Sequence, residues 1–369
     1  MYKTLLVAGA TCLFLFSAAG MTFAQVAADP FDDGPYVVWH DSSRVTVFYI
    51  CQGELVSQEY NVADTLRFTS LCGTDTSTFV VAKTAPPVEP DRFDHVPRIL
   101  AVSDVHGEYE AFVDFLQKAG AISSDRHWSY GDGHLVINGD IVDRGDGVTE
   151  SLWLVYRLEQ EAKRAGGRVH FTLGNHEQMV LRGDNRYINK KYLEGTAKKS
   201  RILHQDLFGP DTELGRWLRT KQTMIRLNDI LFVHAGTSPE LVERGWDIET
   251  VNSKVRKYFD WSSAQVAFSE EPRFLYGSQG PLWYRGFFKP DDGKWVQLPE
   301  AEVLEILRCH GVSTIAVGHT LNGCVDSYYS GAIFGVGVEV KETGTLQGLL
   351  WEDGHFYRVT PAGERELLK

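Results

Sequence analysis

The sequence predicts a layered α/β domain preceded by a small β-rich unit, and three observations carry that expectation. From Arg98 onward, short apolar runs alternate with amphipathic helical stretches, the pattern of strands covered by helices. Five of those runs stop at Asp, Asn or His beside a glycine, and in open α/β sheets ligands bind beyond the carboxyl ends of strands. Upstream, residues 36–82 hold β-branched and aromatic runs separated by turn signals. The 369-residue length suits about two domains and leaves ample chain for a packed core. The formal net charge of −12 argues against a general nucleic-acid binder, which needs a basic footprint.

Taken in order, residues 1–24 read as a signal peptide. Lys3 is the only charge before Asp29, residues 4–21 are almost wholly apolar or small, and Thr22-Phe23-Ala24 offers small residues where a signal peptidase cuts. Cleavage after Ala24 predicts an exported protein, periplasmic or secreted; an uncleaved anchor helix is the alternative. Cleavage removes Cys12 and leaves four cysteines in an oxidising compartment. Residues 25–85 form the β-rich unit. Tyr36-Val37-Val38-Trp39 and Arg44-Val45-Thr46-Val47-Phe48-Tyr49-Ile50 make a hairpin about His40-Asp41-Ser42-Ser43, and 78–82 is a further strand. Cys51 and Cys72 flank these runs and are expected to form a disulfide clamping the unit, against the alternative of two free buried thiols. Ala85-Pro86-Pro87-Val88-Glu89-Pro90 is stiff and extended, which makes 86–97 a linker. Residues 98–369 are expected to form the layered α/β domain. Its strands are expected at 99–102, 135–137, 169–173, 231–233 and 314–317, and its helices near 108–118, 148–165, 211–220 and 299–310. Tail strands follow over 332–340, 346–351 and 355–359.

The side chains collected at the strand ends are Asp104, His106, Asp140, Asn175, His234 and His319. One such stop is commonplace, since an Asp can cap the next helix; five in series are not. Carboxylate and imidazole ligands together suit borderline metals such as Zn, Fe or Mn. Six exceed the needs of one ion and fit two metals sharing a bridging carboxylate. Two metals clamp the attacking and leaving oxygens of an in-line displacement. Arg144, four residues after Asp140, offers a bidentate fork for a phosphoryl group, and Gly145 lets the backbone turn tightly beside it. His176 is placed to protonate a leaving oxygen, with Asp143 orienting its imidazole and raising its pKa.

The motifs are Asp104-Val105-His106-Gly107, Gly139-Asp140-Ile141-Val142-Asp143-Arg144-Gly145, Gly174-Asn175-His176-Glu177, His234-Ala235-Gly236 and Gly318-His319-Thr320. In this order they resemble the calcineurin-like metallophosphoesterases. The Asp-Arg-Gly ending and the Glu after His176 resemble the phosphoprotein phosphatase branch. Gly183-Asp184-Asn185-Arg186-Tyr187 and Gly280-Pro281-Leu282-Trp283-Tyr284-Arg285-Gly286 look like the Shewanella-like protein phosphatases within it. The resemblance implies a four-layer α/β/β/α sandwich with a dinuclear metal site at its strand ends. It implies that Asp104 and His106 hold the first metal, that Asp140 bridges, and that Asn175, His234 and His319 hold the second. His176 is then the proton donor and Asp143 its orienter, while Arg144 and Arg285 bind substrate phosphate. The first motif usually opens with Gly, where this chain has Ser103.

The expected function is an exported protein phosphatase in which a metal-bridging hydroxide attacks phosphorus in line. The metals are Mn, Fe or Zn, and phosphotyrosine is favoured over phosphoserine and phosphothreonine. The alternatives are a diadenosine tetraphosphatase-like or broad phosphoesterase and, from another class, a non-catalytic phosphoprotein-binding module. The expected partner is a phosphorylated protein or peptide, with no nucleic acid, no stable membrane insertion after signal cleavage and no calmodulin-type regulatory subunit. Cys309 and Cys324 are not nucleophiles, because no Cys-x5-Arg phosphatase loop is present; they could pair across Gly318-His319. Arg182, Arg186 and Tyr187 read either as reaching the substrate mouth or as part of a solvated basic loop. Trp283 and Tyr284 read as packing.

Overall fold

The computed structural model describes residues 30–73, 77–288 and 295–369. The segment read as a signal peptide lies outside them. β1 (Asp33–Trp39), β2 (Arg44–Cys51) and β3 (Glu54–Asn61) form an antiparallel sheet in that order, and β4 (Thr65–Thr69) pairs with β5 (Thr78–Ala82). Among the described residues twelve further strands follow: β6 (Arg92–Phe93), β7 (Arg98–Val102), β8 (His134–Asn138), β9 (Arg168–Thr172), β10 (Met224–Leu227), β11 (Ile230–Val233), β12 (Thr314–Val317), β13 (Asp326–Tyr328), β14 (Ile333–Gly335), β15 (Gly348–Glu352), β16 (His355–Val359) and β17 (Arg365–Leu367). They build two six-stranded sheets, ordered β17-β16-β15-β7-β8-β9 and β13-β14-β12-β11-β10-β6. β7, β8 and β9 run parallel in the first, β11, β12 and β14 in the second.

Every residue of β8, His-Leu-Val-Ile-Asn, is buried. A parallel strand covered on both faces reads as a continuous run rather than as alternation. Its last residue ties the two sheets together. Fully buried Asn138 donates through Nδ2 to the carbonyls of Val233 on β11 (3.1 Å) and Ala316 on β12 (3.2 Å). The carboxyl ends of both sheets are thereby fixed side by side.

Helices α1 (Tyr109–Lys118) and α2 (Val148–Arg164) follow β7 and β8, and α2 packs on β9. The buried face of α2 is unusually wide, running without a break from Leu152 to Leu158. The reason is that the N-terminal unit covers its outer side. The Trp153 indole donates to the Pro35 carbonyl (2.8 Å) and packs against Phe68 and Phe79. Tyr36 hydrogen-bonds Thr149, and the Trp39 indole donates to Glu213 at 2.8 Å. The N-terminal strands and the catalytic region thus share one continuous core. Trp153→Ala is expected to cost about 3–5 kcal/mol, the usual range for deleting a buried aromatic, and to lower Tm by roughly 4–7 °C in a chain of this length. A calorimetric scan checks this; a shift under roughly 2 °C would contradict the shared core.

The expected Cys51–Cys72 disulfide is formed. Cys309 and Cys324 are both free thiols. Within the segment read as a linker, Arg92–Phe93 adds a short parallel strand beside β10. The tail departs from the expected alternation over 332–340. Only Ile333–Gly335 is strand, and Val340 begins a short helix. Between them the chain leaves the sheet so that Gly337 passes against the Asp104 carboxylate, where a side chain would collide.

Candidate active site

Five strand ends from the two sheets converge. β7 leads into Ser103-Asp104-Val105-His106, β8 into Gly139-Asp140, and β9 into Leu173-Gly174 and helix α3 (Asn175–Leu181). β11 delivers His234 and β12 delivers His319. Asp104, His106, Asp140, Asp143, Asn175, His176, His234 and His319 are all nearly inaccessible to solvent. Residues separated by 215 positions touch directly: the His319 amide donates to Asp104 Oδ2 at 3.0 Å.

Asp140 sits at the centre. Its Oδ2 lies 3.1 Å from His234 Nε2, 3.7 Å from His106 Nε2 and 3.9 Å from His176 Nε2. It belongs to two groups whose ligand atoms lie within 4.8 Å of one another, His106–Asp140–His176 and Asp140–His234–His319. Asn175 Oδ1 is 3.0 Å from His234 Nε2. Asp104 Oδ1 is 4.0 Å from His106 Nε2, somewhat outside the first group, where His176 stands instead.

The local backbone is strained to make this cluster. Asp104, His106, Asp140, Asp143, Arg144 and His319 all have φ between +49° and +70°, where residues with a Cβ are disfavoured. Such positions cost free energy and persist only where the surroundings hold them. One such restraint is Glu177, whose role the sequence reading did not identify. Fully buried, it accepts four amide protons, from Asp140 (2.9 Å) and Gly174 (2.7 Å) at Oε2 and from Ile141 (2.8 Å) and Val142 (3.2 Å) at Oε1. Its position three residues after Gly174, the residue that precedes the helix and whose amide its side chain reaches back to accept, is the signal that could have revealed it. Gly174 is required by proximity: a Cβ there would run into the Asp140 carboxylate.

The donor set fits metal ions. The Nδ1 atoms of His106 and His234 lie 3.0 Å and 2.8 Å from the carbonyls of Val142 and Asn138. A ring that donates from Nδ1 turns an Nε2 lone pair inward, the usual orientation of a ligating histidine. The Nε2 atoms of His106 and His319 are buried without a hydrogen-bond partner. Burial first, then the charges of His176 and Arg144, hold His106 down to about 3 against the pull of Asp140. Burial, then the His234 and Arg285 charges, hold His319 well below the usual range. Both are therefore neutral, as ligands must be. At His234 burial is overcome, and the carboxylates of Asp140 and Asp104 push its pKa up to about 9. The pair of buried carboxylates calls for positive charge at this point.

The remaining expected residues stand around the cluster. His176 Nδ1 is 2.7 Å from Asp143 Oδ2, leaving Nε2 to face Asp140. Burial works against protonation of His176, but Asp140 and Asp143 together raise its pKa above the ordinary value. Half-buried Arg144 has its backbone clamped by the loop after α3: its amide donates to the Tyr187 carbonyl and its carbonyl accepts from Asn189 Nδ2, both at 2.9 Å. Arg285 stands beside His319, its Nη1 donating to the His319 carbonyl at 3.2 Å. The Tyr187 ring lies 5.1 Å from that of His176 and is 44% exposed, while the Trp283 ring lies 5.6 Å from His319. Two aromatic side chains therefore border the cluster.

Comparison with known proteins agrees with this geometry. Residues 97–323 match the family profile of calcineurin-like phosphoesterases. Over 234 residues the chain is 30% identical to an uncharacterised protein of Schizosaccharomyces pombe, covering 60% of this chain and 66% of that protein. Over 271 residues it is 28% identical to Shewanella-like protein phosphatase 2 of Arabidopsis thaliana, covering 62% and 68%. The chain spans about two thirds of the length of these curated relatives. Among solved structures it is similar to a cold-active protein-tyrosine phosphatase of a psychrophilic Shewanella species. The identity is 34% and the TM-score 0.84, covering 92% of this chain and 100% of that one.

Proposed function

This chain belongs to the calcineurin-like phosphoesterases, a family of metal-dependent phosphatases, and on that premise we propose that it is an exported, two-metal phosphoprotein phosphatase. The observation that carries the reading is the Asp140 carboxylate, common to both groups of ligand atoms. Asp104 and His106 would hold one metal, Asn175, His234 and His319 the other, with Asp140 between them. When bound, the metals supply Lewis acidity toward the phosphoryl oxygens and the attacking water.

The chain's own residues supply the rest. Arg144 and Arg285 bind the equatorial phosphoryl oxygens and neutralise charge that builds in the transition state. Water attacks phosphorus in line, the bond to the leaving oxygen breaks, and that oxygen takes a proton from His176 Nε2. Asp143 holds the ring so that Nε2 points at the cluster. No phosphoenzyme forms.

Phosphotyrosine is the favoured substrate. The reading is supported by likeness to a protein-tyrosine phosphatase and by the exposed Tyr187 ring beside His176, where the leaving phenol would lie. Export is supported by the apolar amino-terminal pattern and by the Cys51–Cys72 disulfide, a bond that persists in oxidising compartments. Turnover of phosphotyrosine peptide, phosphoserine peptide and dinucleoside tetraphosphate tests the assignment. The expected order is phosphotyrosine first; faster cleavage of the tetraphosphate would reverse it.

A further inference from the structure

The loop that clamps Arg144 carries charge opposite to that of the whole chain. Residues 182–201 hold seven Lys or Arg against two Asp or Glu, a local charge of +5 in a protein of −12. Several of these cations are already engaged. Arg186 pairs with Asp184, Lys191 with Glu150, and Lys199 with Glu54, while Arg182 donates to the Trp261 carbonyl. Lys190, Lys198 and Arg201 are exposed, and among the described residues their side chains make no ion pair or hydrogen bond.

Two of those three free cations line a groove of about 380 Å³ bounded by Asn185, Leu193, Lys198, Arg201, Leu203 and Gln205. Its character is mixed. Leu203 is 65% exposed, an apolar side chain left on the surface, with Leu193 half-buried beside it. Leu193 lies in a π-helical turn over Lys191–Thr196, a widened geometry frequent at functional sites. The groove adjoins the catalytic cluster through the chain itself. Asn185 is two residues from Tyr187, at most about 7 Å along the backbone, and Tyr187 both borders His176 and anchors Arg144.

We infer that this groove docks the acidic flank of the substrate: a peptide segment bearing Asp or Glu and an apolar residue, a few positions from the phosphorylated side chain. The inference rests on the phosphoprotein reading above and adds to it a basis for choosing among phosphoproteins. Lys198 and Arg201 meet the acidic side chains, and Leu193 and Leu203 take the apolar one. Complementary charge at the rim of an interface steers encounter and selects partners, more strongly at low salt.

The test uses two phosphotyrosine peptides differing only in acidic or neutral residues around the phosphorylated position, together with nitrophenyl phosphate, which has no flank. The unaltered protein is expected to prefer the acidic peptide in kcat/KM by about tenfold at low ionic strength. The double variant Lys198→Glu, Arg201→Glu is expected to lose that preference while hydrolysing nitrophenyl phosphate at the unaltered rate, which also shows that it is folded. No preference in the unaltered protein, or a preference retained by the variant, would overturn the docking groove. No hydrolysis of nitrophenyl phosphate by the unaltered protein would instead overturn the phosphatase reading beneath it.

Discussion

Asp140→Asn is expected to lower kcat by on the order of 10³–10⁵, the scale on which positioned charge acts in phosphoryl transfer. The substitution is nearly isosteric. Its remaining oxygen still accepts the His176 amide, which meets Asp140 Oδ1 at 3.0 Å. What it removes is the charge and the second oxygen, the one that faces His106, His176 and His234 together. A neutral amide is a poor shared ligand for two hard or borderline cations. Metal content and kcat should therefore fall together, and Tm should fall with the metal, because an ion held only by the folded chain stabilises it. Full activity in this variant would contradict a role for the carboxylate.

His176→Ala is expected to have the second largest effect, and a selective one. On phosphotyrosine or phosphoserine peptides kcat should fall by about 10²–10⁴, the usual worth of a positioned general acid. On nitrophenyl phosphate, whose leaving group needs little protonation, the fall should be much smaller. An equal loss on both substrates would assign His176 to holding the site together. The structure makes that comparison necessary, because His176 Nε2 also lies within the first group of ligand atoms.

The residues of the candidate site were legible in the sequence because each motif is local. A strand end, a glycine and one or two polar residues occupy three to seven consecutive positions, so the chain displays the parts even though it does not display their approach. The fold then joins Asp104 to His319 and Asp143 to His176. Glu177 escaped because its work is done by four backbone amides, which carry no residue identity. β3 escaped because both its faces are largely exposed, which erases the alternation that marks a half-buried strand. Helix Ile248–Lys257 escaped although Asp247 caps it, its side chain accepting the Thr250 amide at 2.9 Å. The stretch is strongly charged and buries only Ile248, Val251, Asn252 and Val255. The attachment of the N-terminal unit was illegible for another reason. Trp153 and Pro35 lie 118 positions apart, and nothing in either segment signals the other.

Metal stoichiometry against activity tests the two-metal account most directly. Protein purified from its native compartment should carry two ions of Mn, Fe or Zn per chain. Chelation should abolish phosphatase activity, and activity should return as two equivalents are restored. A metal-free protein that keeps full activity, or one that reaches full activity with a single ion per chain, would contradict it.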